Sequence, residues 1–274
     1  MVRIAIFQSC SGIDPDANAA TLVEMVKQAA EGGAAMLFTP EMSGLVDGDR
    51  ERSAGMIRSE GKDVVLEAVR AAAKANGIWV HLGSLALSVD DGKRVNRAFV
   101  IDSKGAIVGR YDKMHLFDVD LPMGESWRES AVYQAGSGPV VVRGTPVGSL
   151  GLTICYDLRF PAMFERLSEA GADVIAVPSA FTVPTGEAHW HVLLRGRAIE
   201  AGLFVVAAAQ SGQHEDGRAT YGHSLVVDPW GTVLVDGEKG EKLLFVEIDL
   251  DRIAEVRSRI PVLSHRRPIG PASD

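Results

Sequence analysis

Four side chains of types that serve in hydrolysis stand where the sequence pattern changes. Cys155 follows the apolar run 151–154 and precedes polar residues, a proline and a segment that reads as a helix. Glu41 ends another short apolar run, and Lys113 and Glu129 lie in or beside a long irregular segment. A cysteine at a strand-to-helix junction faces the crevice where α/β sheets bind ligands, so a nucleophile is one interpretation. A buried cysteine that serves only as a small hydrophobe is the other.

Together these residue types suit the hydrolysis of an amide. A thiol with a pKa near ~8.5 is mostly protonated at neutral pH, so Cys155 needs a base, and Glu41 is the candidate. Lys113 and the N–H of Tyr156 could hold the oxyanion, while Glu129 would orient the Lys113 ammonium. Attack of the Cys155 sulfur on the amide carbonyl would give a thioester, which water would then cleave. Taken singly, however, Glu41 and Lys113 are typical of solvated loop residues.

The elements that must position these residues occur twice along the chain. Residues 33–40 resemble 171–178, residues 77–80 resemble 202–205, and the hairpin at 100–108 resembles that at 226–234. Each half reads as strand, helix, strand, helix, strand, hairpin. Two such sheets bury both their faces when they pack together with the helices outside. The sequence therefore predicts an α/β fold, a four-layer α-β-β-α sandwich with internal pseudo-twofold symmetry.

The chain order also predicts how the domain is bounded. We expect one catalytic domain over residues 1–250, with a helix over 251–259 and an extended tail to residue 274 as parts of the same unit. Residues 112–138 show little regularity and read as a long loop, which in compact domains is often functional.

Composition excludes several classes of partner. The net charge of -8 argues against nucleic acid, because no basic stripe could neutralise phosphates. No apolar run approaches the ~20 residues that span a membrane. Without a basic-then-apolar leader after Met1, we expect a cytoplasmic protein in which Cys10 and Cys155 are reduced, a single disulfide being the alternative.

Three motifs resemble the nitrilase superfamily of carbon–nitrogen hydrolases: Pro40-Glu41, the segment 111–118 and the segment 155–161. The resemblance implies the four-layer sandwich, no cofactor, and assembly into a homodimer or larger homo-oligomer. It also implies that Glu41, Lys113 and Cys155 form a catalytic triad. A second glutamate assists in that family. Glu129 matches it best, and Glu125 is the alternative.

A finer resemblance is to the branch that contains deaminated-glutathione amidases, with ω-amidases as near relatives. It rests on residues 179–182, 185–190, 195–200, 207–210 and 221–224. Tyr156, directly after the cysteine, fits amidases better than true nitrilases, which usually carry Trp at that position. Gly196 and Ala162 depart from the pattern, which has Ala and Glu at these positions.

The branch implies a small amide substrate that bears carboxylates, such as deaminated glutathione. 2-Oxoglutaramate and N-carbamoyl amides are alternatives, and so is an inactive member that only binds. We expect Tyr156, Arg159, Phe181, His189 and Trp190 to contact substrate. Candidates for the carboxylate contact are Arg159, Arg195 and Arg197.

The histidines offer two rival sites. His189 and His191, with His115 or His223, could hold a metal ion, but a His-x-His spacing on a helix points the rings to different faces. His115 or His223 could instead be the base of a Cys-His hydrolase. We expect neither, and predict no metal.

Overall fold

Two six-stranded sheets form the centre of the fold in the computed structural model, which describes residues 1–89, 92–120 and 126–270. With strands numbered along the chain, the first sheet contains β1 (Val2–Gln8), β2 (Met36–Phe38), β3 (Trp79–Ser88), β4 (Arg94–Ile101), β5 (Ile107–Asp112) and β16 (Lys242–Ile248). The second contains β8 (Val140–Thr145), β9 (Gly148–Leu152), β10 (Val174–Ala176), β11 (Phe204–Ala207), β14 (Leu225–Val227) and β15 (Val233–Asp236).

The remaining strands form two short hairpins. They pair β6 (Asp118–Asp120) with β7 (Ser126–Arg128) and β12 (Ser211–Gln213) with β13 (Ala219–Tyr221). The helices are α1 (Pro15–Glu31), α2 (Arg50–Ala54), α3 (Val64–Asn76), α4 (Pro161–Glu169), α5 (Val183–Ala201), α6 (Asp251–Arg259) and α7 (Val262–His265).

The two sheets have the same topology. The first runs β16-β1-β2-β3-β4-β5 and the second β8-β9-β10-β11-β14-β15. In each, the second, third and fourth strands pair in parallel, and every other pair is antiparallel. Helices α1 and α3 connect the parallel strands of the first sheet, as α4 and α5 do in the second. The predicted sandwich with pseudo-twofold symmetry is confirmed.

Alternation along the strands explains why the sheets stack. In β1, Ile4 and Ile6 pack into the core that also contains Leu150 and Leu152 of the opposite sheet. Ala5 and Phe7 of the same strand point the other way, into a core shared with α1 and α3. Side chains two apart share a face of a strand, so one apolar strand supplies both layers.

The helices have local signals at both ends. The Asp14 side chain accepts from the N–H of Asp16 before α1, and the Asp63 side chain accepts from Leu66 N–H before α3. Gly77 and Gly202 end α3 and α5 with φ of 65° and 57°, a left-handed conformation that glycine adopts without steric cost.

Two segments differ from the sequence-based expectation. The loop predicted over 112–138 contains the β6–β7 hairpin and a 3₁₀ turn at Glu129–Ala131, and the tail predicted as extended contains α7. Within the described residues, no helix combines the length and apolar character needed to cross a membrane.

Candidate active site

The backbone at Cys155 is strained in a way that the sequence did not reveal. Strand β9 ends at Leu152, and the chain turns into a 3₁₀ helix at Cys155–Arg159. Cys155 has a φ of 48°, which costs a residue with a side chain roughly 1–2 kcal/mol. Its N–H donates to the Pro178 carbonyl at 2.9 Å, which fixes the turn against the end of β10.

The fully buried Asp157 holds this turn in place. Its Oδ2 accepts from the Ile154 N–H at 2.8 Å and from the Tyr111 hydroxyl at 2.7 Å. Its Oδ1 accepts from the His115 N–H at 3.1 Å and lies 2.6 Å from His115 Nδ1. Asp157 therefore ties the cysteine turn to the segment that carries Lys113.

Lys113 follows β5 and is 2% exposed. Its Nζ donates to Glu41 Oε1 at 2.9 Å and to Glu129 Oε2 at 2.9 Å. Its backbone N–H donates to the Asn96 carbonyl on β4 at 2.9 Å. A buried ammonium between two carboxylates has its charge compensated and its position fixed.

Glu41 is held by groups that the sequence reasoning missed. Its Oε1 accepts from Asn96 Nδ2 at 2.9 Å, and its Oε2 accepts from the Ala180 N–H at 3.0 Å. Arg94 and Arg97 also interrupt the apolar pattern of β4, so nothing in the sequence singles out Asn96. The Ala180 N–H carries no sequence signal.

These residues meet in one cavity of about 640 Å³. Cys155, Glu41, Lys113 and Glu129 all line it, although they come from four separate segments. Cys155 is 8% exposed, so it is buried, yet it lines the cavity. The structure thus brings together the four residues that the sequence predicted would converge.

The charges of the site act on the cysteine in opposite directions. Burial raises the pKa of the Cys155 thiol well above its usual value, and the adjacent Glu41 carboxylate raises it further, while Lys113 partly offsets both. Burial alone would lower the pKa of Lys113, but Glu129 and Glu41 outweigh it and the net shift is upward. The resting site therefore pairs a neutral thiol with a charged ammonium.

Three of the predicted substrate contacts line the cavity: Tyr156, Arg159 and Phe181. The Tyr156 ring packs edge-on against Phe117 and Phe160, with ring centroids 5.1 Å and 5.2 Å away. Across the described ranges, the Tyr156 N–H donates no backbone hydrogen bond outside its own 3₁₀ helix. That N–H begins the 3₁₀ turn beside the sulfur and is available to an anion.

The other two predicted contacts do not line the cavity. Trp190 is buried, its Nε1 donates to the His223 carbonyl at 2.7 Å, and its ring packs behind Phe181 at 4.7 Å. His189 is exposed, and its Nδ1 lies 3.4 Å from the Arg159 guanidinium. Both lie behind cavity residues.

Two of the predicted arginine candidates are also elsewhere. Arg195 donates to the Gly231 carbonyl at 2.8 Å, and Arg197 donates to the Leu158 carbonyl at 2.9 Å. Both guanidinium groups bind main chain, so only Arg159 of the three reaches the cavity. Glu125, the alternative second glutamate, lies outside the described residues.

The histidines named for a metal site are dispersed. His115 stacks on Phe160 and bonds Asp157, and His189 lies beside Arg159. His191 and His223 do meet, with Asp236 between them. His191 Nε2 is 3.0 Å, and His223 Nδ1 2.9 Å, from its carboxylate. None of these three residues lines the cavity. Each imidazole has a carboxylate partner there.

The family described as carbon-nitrogen hydrolase matches residues 3–258. The chain belongs to the carbon–nitrogen hydrolase family. It is therefore an enzyme of the amidase type, as the names of its relatives indicate.

Three similar proteins cover nearly the whole chain. The deaminated glutathione amidase of Dictyostelium discoideum is 41% identical over 97% of this hydrolase and 94% of that protein. The C. elegans NitFhit protein superposes with a TM-score of 0.89 at 38% identity, over 97% of this chain and 65% of that one. A mutant amidase from Nesterenkonia sp. AN1, with acrylamide added to its active-site cysteine, gives a TM-score of 0.79 at 27% identity, over 95% and 98%.

Proposed function

We propose that this hydrolase cleaves the amide of a small carboxylate-bearing substrate, deaminated glutathione, through a thioester on Cys155. The observation that carries the proposal is the meeting of the Cys155 thiol with Glu41 and Lys113 in one cavity. The names of the relatives support the substrate, and the adduct on the Nesterenkonia amidase supports a cysteine nucleophile.

In the acylation step, Glu41 accepts the thiol proton as Sγ attacks the amide carbonyl carbon. The raised pKa of the thiol makes this transfer necessary, because little thiolate exists before substrate binds. The C–Sγ bond forms and the carbonyl oxygen becomes an oxyanion. Glu41 then gives its proton to the nitrogen, the C–N bond breaks, and the amine leaves.

In the deacylation step, Glu41 accepts a proton from water, whose oxygen attacks the thioester carbon. The C–Sγ bond breaks, the acid is released, and the proton returns from Glu41 to the sulfur. The same carboxylate thus serves twice, which its fixed bonds to Asn96 and the Ala180 N–H allow.

Oxyanion stabilisation falls to Lys113 and the Tyr156 N–H in this proposal. Each such donor contributes about 3–4 kcal/mol in proteases. Glu129 fixes the Lys113 ammonium, to which it is bonded at 2.9 Å. Arg159 is the candidate for one substrate carboxylate.

A substrate panel tests this proposal. Deaminated glutathione, 2-oxoglutaramate, an N-carbamoyl amino acid and a nitrile would be offered to the unmutated enzyme and to Cys155→Ala. We expect 2-oxoglutarate release from deaminated glutathione with the highest kcat/KM, and none from the variant. Preference for another substrate would refute the assignment of substrate. Undiminished turnover by Cys155→Ala would refute the thioester route.

We also propose a homo-oligomer in the cytoplasm. Val192 and Ile199 lie seven residues apart on one face of α5 and are 72% and 50% exposed, and Ile199 packs next to Gly231, the neighbour of the exposed Trp230. An apolar surface of this kind supports self-association. Two free thiols support a reducing compartment. Light scattering of the protein and of Val192→Glu tests the first point, and cell fractionation tests the second.

A further inference from the structure

The cavity carries more arginine than its own carboxylates neutralise. Five arginines line it: Arg50, Arg94, Arg128, Arg159 and Arg218. Two of them have acidic partners. Arg128 lies 2.9 Å from Asp120, and Arg218 lies 2.7 Å from Asp216.

The other three have no carboxylate within 4.0 Å in the part of the chain that the structure describes. Within the described ranges, Arg50 Nη2 donates to the Arg128 carbonyl at 3.4 Å, and Arg94 contacts the Ser53 hydroxyl at 3.4 Å and the Tyr133 hydroxyl. Arg159 lies beside an imidazole and over an aromatic ring. In a chain of net charge -8, unpaired guanidinium groups concentrated at one cavity indicate an anionic ligand.

Two of these arginines come from elements that touch each other. Arg94 Nη1 on β4 lies 3.4 Å from the Ser53 hydroxyl on α2, the helix that begins at Arg50, and all three residues line the cavity. Arg159 belongs to the turn that begins at Cys155 and lies over Phe181, with 5.5 Å between its Cζ and the ring centroid. The unpaired charge therefore has two locations, one in each half of the fold.

We propose that Arg50 and Arg94 form a second carboxylate site, which binds the carboxylate on the amine portion of the substrate. This rests on the proposed function. Arg159 belongs to the same 3₁₀ helix as Cys155, whose Sγ carries the acyl portion in the thioester, and so suits the acyl carboxylate. Arg94 precedes Asn96 by two residues on β4, and side chains at that spacing share a face.

The position of Asn96 gives the second site its role. Asn96 bonds Glu41, the residue that protonates the leaving nitrogen, so Arg94 lies on the side from which the amine departs. A guanidinium binds a carboxylate through two parallel hydrogen bonds. The enzyme would therefore prefer amides that carry a carboxylate on both sides of the scissile bond. Deaminated glutathione does so, whereas 2-oxoglutaramate, which releases ammonia, carries only one.

Calorimetry on Cys155→Ala tests the site without turnover. The two probes are N-glutarylglycine, with a carboxylate on each side of its amide, and glutaramate, with one. We expect N-glutarylglycine to bind about 10- to 100-fold more tightly, as for hydrogen bonds to a charged group. Adding Arg94→Gln or Arg50→Gln should reduce that preference about tenfold or more.

Arg128→Gln is the matched control, because Arg128 lines the same cavity with its charge paired, and the preference should survive. Thermal unfolding confirms that each variant is folded, and Arg94→Lys, which keeps the charge but not the fork, should retain part of the preference. Equal binding of the two probes, or a preference that persists in Arg50→Gln/Arg94→Gln, would overturn the second site. Failure of the unmutated enzyme to cleave deaminated glutathione would instead refute the proposed function, and the binding preference would still decide the site.

Discussion

At the scale of single residues, the site depends on a thiol that its surroundings keep protonated. Burial and Glu41 raise the pKa of Cys155, and Lys113 lowers it. Such a thiol reacts slowly with simple electrophiles at neutral pH, because the thiolate is the nucleophile. Reaction with an amide then requires the proton to move within the site.

Removing the charge of Glu41 and removing that of Lys113 should shift the pKa of Cys155 in opposite directions. In Glu41→Gln the negative charge is lost, so the pKa falls and alkylation by iodoacetamide begins at lower pH. In Lys113→Gln the positive charge that stabilises the thiolate is lost, so the pKa rises and alkylation begins at higher pH. Rates measured from pH 6 to 11 give the midpoints, with Cys155→Ala correcting for Cys10. Midpoints that coincide in all three proteins would contradict the electrostatic account.

His81 on β3 supplies a second prediction at this scale. It is fully buried, neither ring nitrogen has a hydrogen-bond partner among the described residues, and burial lowers its pKa to about 3. Between pH 6.5 and 3 the unfolded chain therefore binds a proton that the folded chain does not, so folding stability falls as the pH falls. Through His81, the free energy of unfolding decreases by about 1.4 kcal/mol for each pH unit in this range.

His81→Leu should remove that slope. Urea unfolding at several pH values between 7.5 and 4 would give the free energy of unfolding of both proteins. At pH 7.5 the histidine is neutral in both states, so the difference there serves as the reference. An unchanged difference at pH 4 would show that His81 does not titrate on unfolding in this range.

The residue types of the site could be predicted, but only some of its geometry. Glu41, Lys113 and Cys155 stand beside apolar runs, but the resemblance of the motifs around them, rather than their positions alone, implied that they form a triad. Asn96 and the Ala180 N–H were missed because their role depends on which strands are neighbours. The charges of Arg50 and Arg94 were missed because only the tertiary structure shows which arginines lack a carboxylate.

At the scale of elements, prediction succeeded where periodicity and end signals agree. Helix α1 begins after Asp14, whose side chain caps it, and α3 ends before Gly77, whose left-handed φ stops it, so both carry end signals that can be recognised in a sequence. The β6–β7 hairpin was missed because local side-chain contacts, rather than a repeating apolar pattern, hold it. The Phe117 N–H donates to Glu129 Oε2 at 2.6 Å, and the Phe117 and Trp127 rings are 6.4 Å apart. Three-residue strands carry too little alternation to be recognised.

Helix α5 contains two glycines with opposite expected responses. A Cβ on Gly196 would meet nothing within 4 Å, so Gly196→Ala should raise the free energy of unfolding by about 0.5–1 kcal/mol. A Cβ on Gly186 would overlap the Tyr221 side chain, so Gly186→Ala on the same helix should destabilise the protein. Thermal or urea unfolding of both variants measures the difference. A loss of stability in Gly196→Ala would contradict the open space on that side of the helix.

At the scale of the whole molecule, the duplicated chain order predicted how the two sheets pack. Each half has one sheet face covered by its own helices and one left apolar, and the halves cover each other. The candidate active site is a consequence of that arrangement, because Glu41 and Lys113 come from the first half and Cys155 from the second. Whether residues 251–274 fold together with the two sheets depends on how α6 packs against them.

We predict that residues 251–274 fold as part of one cooperative unit with residues 1–250. In α6, Ile253 and Val256 are buried, and Arg257 Nη2 contacts the carbonyls of Ala172 and Ala201 at 3.4 Å and 3.3 Å.

A chain that ends at residue 250 loses the burial of two branched side chains, about 3–6 kcal/mol of stability, and exposes the core beneath them. A chain that ends at residue 267 keeps α6 and is the matched control, with stability close to the full-length value. Calorimetry should show a single transition for the full chain and a marked fall in its midpoint for the shorter truncation only, whereas equal midpoints for all three chains would mean that the end of the chain folds independently.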